Sequence, residues 1–132
     1  MLEVHEGLSP RIEAIGEDVV DSALAVHRAL GPGLLESVYE MCLARELEKR
    51  GHRVDRQLSL PVLFNDLRME AGFRLDLLVD QSVIIEVKAV DALIPIHDAQ
   101  LLTYLRLSSR RLGFLINFNV PLLKQGIRRK IN

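Results

Sequence analysis

The chain has 132 residues and a mass of 14.9 kDa, with 17 Lys and Arg against 18 Asp and Glu, a net charge of −1 and a pI of about 6.4. Hydrophobic residues make up 48% and charged ones 27%, which supplies one core and excludes a disordered chain. A single cysteine, Cys42, excludes an internal disulfide framework and a cysteine-rich zinc site, and no apolar run approaches the roughly 18 residues of a membrane span. The expectation is one cytoplasmic domain over residues 1–132, with 1–9 as a flexible tail: the opening MLEVHEG carries acids where a secretory leader carries bases.

Ser9-Pro10 supplies a capping residue and a proline for a first helix, and Ile12, Ile15, Val19, Ala23, Val26 and Leu30 recur at three- and four-residue steps along it. Gly31-Pro32-Gly33 stops that helix, and a second spans residues 34–50, closed by Gly51 after the basic pair Lys49-Arg50. From His52 the period changes: Val54, Arg56, Leu58 and Leu60 alternate with more polar residues, Asn65-Asp66 forms a turn, and residues 67–70 form the returning strand. Residues 73–79 and 82–90, joined by Asp80-Gln81, are dense in aliphatics and read as strands buried on both faces in the middle of a sheet. Pro95 opens a third helix over residues 96–107, residues 112–118 form another aliphatic strand, and 122–131 fits either a strand or a helix. The order predicts an α/β fold, a central mixed sheet flanked by helices.

Three charged residues interrupt these apolar strands. Asp76 lies within 73–79, while Glu86 and Lys88 lie within 82–90. A buried charge is costly unless paired or bound to metal. Residues two apart on a strand project to one face, so Glu86 and Lys88 point together, and Asp76 on a neighbouring strand would bring a second carboxylate beside them. Two carboxylates are the usual protein contribution to a magnesium site. On spacing alone a structural ion network at a strand end explains the same three residues. Glu36 stands near the start of the second helix with Tyr39 three residues on, and His97, Gln100 and Tyr104 form a polar stripe along the third.

Gly33-Leu34-Leu35-Glu36-Ser37-Val38-Tyr39 resembles the signature of the GxxExxY proteins, and Asp76, the Glu86-Val87-Lys88 triplet and the pair Gln100 and Tyr104 resemble the motifs of the PD-(D/E)xK nuclease superfamily, the last pointing to its RecB-type branch. The likeness extends from about Val19 to Phe118, with the motifs in the family's order; Leu75 stands where the superfamily's name has proline. The resemblance implies a restriction-endonuclease-like core and hydrolysis of DNA phosphodiesters. It makes Asp76, Glu86 and the Val87 carbonyl ligands of Mg2+ or Mn2+, with Glu36 completing the site and Lys88 positioning or activating water. Gln100 and Tyr104 would hold substrate phosphate or support the metal shell, and His27 is a further candidate ligand, weighed against a structural role. The alternative within the same fold is a catalytically silent module that binds nucleic acid or a protein partner.

The near-zero net charge does not exclude a nucleic-acid partner, because the charges are unevenly placed. All 18 acids and ten bases fall in residues 1–98, whereas residues 99–132 hold seven bases and no acid. Arg106, Arg110 and Arg111 are therefore candidates for substrate contact. A chain this short leaves little room for a separate substrate-gripping region, so a homo-oligomer or larger assembly is expected to complete it.

Overall fold

In a computed structural model, which describes residues 7–132, the chain forms five strands and three α-helices. Residues 1–6 of the expected tail lie outside the described residues; Ser9 accepts a hydrogen bond from the Ile12 N–H at 3.1 Å and caps the first helix. That helix, α1 (Pro10–Leu30), buries Ile15, Val19, Ala23 and Val26 and ends at Gly31, whose positive φ of 72° and N–H bond to the His27 carbonyl complete the stop. Helix α2 (Glu36–Lys49) follows after a short connection.

Strands β1 (Val54–Phe64), β2 (Leu67–Val79) and β3 (Val83–Lys88) form an antiparallel meander. Helix α3 (Pro95–Ser108) then crosses to β4 (Leu112–Asn117), which runs parallel to β3, and β5 (Ile127–Ile131) closes the far edge antiparallel to β4. The sheet order is β1-β2-β3-β4-β5, so the two most aliphatic strands, β3 and β4, lie in the interior, as strands covered on both faces should. Helices α1 and α2 cover one face through Val19, Leu43, Leu47, Ile85 and Phe114; α3 covers the other through Leu101 and Leu105 against Leu78, Ile84 and Leu115. Among the described residues no helix is long and apolar enough to cross a membrane.

Two details differ from the sequence-based reading. Residues 67–79 form one strand rather than two, because β2 absorbs Ala71-Gly72 in a bulge opposite Pro61, which has no N–H to offer the ladder. Gly72 suits the close approach there: a Cβ would fall on Val62. The open segment 122–131 becomes a 3-10 turn at Leu123–Gly126 followed by β5.

The turn joining β2 to β3 is pinned from three directions. His52 presents Nδ1 to Asp80 Oδ2 at 2.6 Å and Nε2 to Asp18 Oδ2 at 2.7 Å. Carboxylate oxygens only accept, so both bonds are satisfied together by the doubly protonated imidazolium. Burial pushes the imidazole pKa down, but the hydrogen bonds and charges of Asp80 and Asp18 outweigh it, and the net direction is up. Asp80 also accepts from the Arg53 N–H at 2.8 Å. Because the folded His52 pKa is raised, stability from this clamp is fully present below the ordinary imidazole value and is lost as pH rises through the raised one. His52→Gln should cost about 1.5–3 kcal/mol near pH 6, and the deficit should shrink as pH rises above the ordinary imidazole value. Denaturant unfolding across that range measures it; a deficit independent of pH would show that the imidazolium is not the source.

Candidate active site

The ladder between β2 and β3 runs from Val79↔Val83 only as far as Leu77↔Ile85. At the next pair the side chains take over. Asp76 donates its N–H to Glu86 Oε2 at 3.0 Å, and Val87 donates its N–H to Asp76 Oδ2 at 2.9 Å. Each carboxylate thus satisfies a peptide group of the opposite strand, which is why two acids can stand inside otherwise apolar strands. Glu86 is 4% exposed, and burial followed by the Asp76 charge pushes its pKa up to about 8.

Further groups converge on this parting of the strands. Glu36 is the first residue of α2; burial and the Asp76 charge raise its pKa, while Lys88 favours its ionised form. Lys88, half-buried at the end of β3, also favours the ionised form of Glu86, and among the described residues its ammonium has no ion-pair partner within 4.0 Å. From α3, Tyr104 packs against Phe73 with ring centres 4.9 Å apart, and burial, Glu86 and Asp76 raise its hydroxyl pKa. Gln100 lies one turn earlier on the same helix, half-buried.

The segment from Gly33 to Tyr39 explains how Glu36 is aimed. Tyr39 is fully buried and stacked on Phe118 at 4.6 Å; its hydroxyl donates to the Gly31 carbonyl at 2.6 Å and accepts from the Leu34 N–H at 3.0 Å. Gly33 adopts a φ of 98° in the connection so fixed, and α2 begins three residues on at Glu36. Behind Lys88, the buried Asn117 accepts from the Val90 N–H at 3.0 Å and donates to the Val90 carbonyl at 2.9 Å, fixing the exit from β3.

Other expected residues stand elsewhere. His27 donates from Nε2 to the Val120 carbonyl at 2.8 Å and packs near Phe118. His97 accepts from the Ile94 N–H at 3.1 Å and caps α3. Arg110 and Arg111 precede Leu112, which pairs with Val83 at the start of β3, so they sit at the opposite end of the strand; the Val83 position alone is about 10 Å from Glu86 and about 16 Å from Lys88 along β3. Arg110 donates to the carbonyls of Gln81 and Ser108, and Arg111 to that of Asn132. Other bases of the acid-free stretch are engaged by acids: Arg128 and Lys130 both pair with Asp98, and Arg129 with Glu13. Arg106 is exposed on α3.

Glu40, Gln57 and Arg56 were missed. Glu40, 5% exposed, accepts from Gln57 Nε2 at 2.7 Å and from Arg56 at 3.3 Å, and burial with the Asp76 charge raises its pKa. Its spacing of four from Glu36 was the available signal, since two like charges one helical turn apart are unfavourable without a reason.

Among the described residues no three carboxylate, imidazole or thiol groups form a ready-made metal cluster. Asp76 and Glu86 nevertheless supply the paired oxygen donors that magnesium takes when substrate and water complete its shell, and a cation there would favour the ionised form of Glu86 that burial and the Asp76 charge disfavour. The donor set therefore fits a hard divalent ion.

A family model described as the PD-(D/E)XK nuclease superfamily matches residues 13–130. The chain belongs to that superfamily. Its mixed five-stranded sheet with helices on both faces is the expected restriction-endonuclease-like core, and PD-(D/E)XK proteins are generally nucleases that use divalent metals. Neither curated proteins nor solved structures gave a significant match.

For this PD-(D/E)XK chain, metal-free stability should fall as pH rises from about 5 to about 8, because folded Glu86 keeps a proton that the unfolded chain releases near its ordinary pKa of 4.5. Glu86→Gln retains an oxygen to accept the Asp76 N–H and removes the charge. It should be more stable than the parent by on the order of 3 kcal/mol at about pH 8 in chelator, with the gain vanishing near pH 4. Magnesium should raise the melting temperature of the parent at the higher pH and leave the variant unmoved. Parallel pH profiles for the two proteins would contradict this account of Glu86.

Proposed function

We propose that the chain is a divalent-metal-dependent nuclease that hydrolyses phosphodiester bonds in DNA. The observation that carries this reading is the reciprocal pair of bonds that holds Asp76 and Glu86 together where β2 and β3 part, with Lys88 two residues beyond. In this proposal Asp76, Glu86 and the Val87 carbonyl hold Mg2+ or Mn2+, with Glu36 completing the set from α2; His27 is left out because its Nε2 is committed to Val120. The bound ion supplies charge neutralisation at the phosphate and a more acidic water.

The remaining steps belong to side chains of the chain itself. The Lys88 ammonium, without an ion-pair partner among the described residues, orients the attacking water and offsets charge on the phosphate. Tyr104, its pKa raised, stays protonated and donates to a phosphate oxygen, and Gln100 donates from one turn away. The Gly33-to-Tyr39 segment and the Gln100 and Tyr104 pair support assignment to the GxxExxY group and the RecB-type branch.

The test is a cleavage panel of single-stranded, double-stranded and branched DNA, with RNA as a comparison, in magnesium and in manganese. Lys88→Ala should lower the cleavage rate at least ~100-fold while the melting temperature stays within a few degrees, since the loss of one positioned acid–base or electrostatic group has that size. A chain that binds no divalent metal and cuts none of these substrates, or a Lys88→Ala protein that cuts normally, would sink the proposal.

A further inference from the structure

Adjacent residues of a strand project to opposite faces, yet Arg56 and Gln57 both reach Glu40. The backbone of Gln57 makes this possible: its φ is 51°, a left-handed conformation inside β1 that non-glycine residues adopt only under constraint. One end of the Gln57 amide is held by Glu40 Oε1 at 2.7 Å, and the same Nε2 lies 3.4 Å from Asp76 Oδ1. Glu40 is itself held from its other oxygen by Arg56.

We propose that Gln57, backed by Glu40, is the positioning residue for Asp76. The inference rests on the nuclease reading above and adds residues it does not use. An amide nitrogen carries two N–H groups and can serve two carboxylates at once, which a carboxylate or an apolar side chain at this position cannot. Asp76 is then restrained at both oxygens, Oδ2 by the Val87 N–H and Oδ1 by Gln57, so its carboxylate plane is fixed and its unused lone pairs are presented beside Glu86. The strained backbone at Gln57 aims the amide, and Glu40 keeps it from turning to solvent.

Two variants remove the bridge and keep the backbone. Gln57→Gly relieves the left-handed φ, and Gln57→Asn retains an amide in a residue that tolerates that φ but is one methylene too short to span Glu40 and Asp76. Calorimetric titration of the full chain with Mn2+ alone should show the dissociation constant rising roughly tenfold in both, the size expected when the partner of a metal ligand is lost. The half-saturating manganese concentration for cleavage should rise in step, while each variant still unfolds cooperatively without metal. If the parent binds no manganese and cuts no DNA, the nuclease reading falls and this inference falls with it. If the parent binds and cuts but either folded variant binds manganese within twofold of it, the positioning role alone is overturned.

Discussion

Two hydrogen bonds organise the whole molecule: the Asp76 N–H to Glu86 and the Val87 N–H to Asp76. They replace backbone pairing at the place where β2 leaves β3 and packs toward α3. A carboxylate buried without such donors would carry its full desolvation cost. With them, two acids remain inside the sheet at the cost of a strongly raised Glu86 pKa. The same bonds hold the two carboxylates beside one another, and Glu36, Lys88 and Tyr104 act on them from three different elements. Strand separation and site geometry are one construction.

The β2–β3 hairpin therefore has unlike ends. At its turn, Asp80 binds His52 and the Arg53 peptide while Arg11 reaches its carbonyl from α1, so three distant segments are fastened together. At its open end there is no ladder, only side chains facing peptides and one another. Rigidity at one end lets the other tolerate repulsion between neighbouring acids, which is the division expected of a scaffold that carries a strained site.

Much of this was legible in the amino-acid order for identifiable reasons. Helices α1 and α3 announce themselves through Ser9-Pro10 and Pro95, and Asp76, Glu86 and Lys88 stand out because charge inside an aliphatic strand demands an explanation. Tyr39 was visible as a motif position, but its burial against Phe118 depends on a contact 79 positions along the chain. Gln57 was hidden because its role depends on a backbone φ that no residue-type pattern encodes, and β2 was divided at Gly72 because a bulge and a strand break look alike from composition. The basic C-terminal stretch misled because the acids that answer it, Glu13 and Asp98, lie outside it in sequence and against it in space.

That last pairing bears on kinetics. Two carboxylates, Asp98 and Glu13, answer the three cations Arg128, Arg129 and Lys130, so this edge of the sheet keeps a net of only one positive charge. Long-range attraction toward a polyanion accordingly draws less from β5 than its three cations would supply unpaired. Capture of a nucleic-acid strand would then depend more on short-range contacts made after collision. Its association rate would respond less steeply to ionic strength, while its residence time would be set where the strands part.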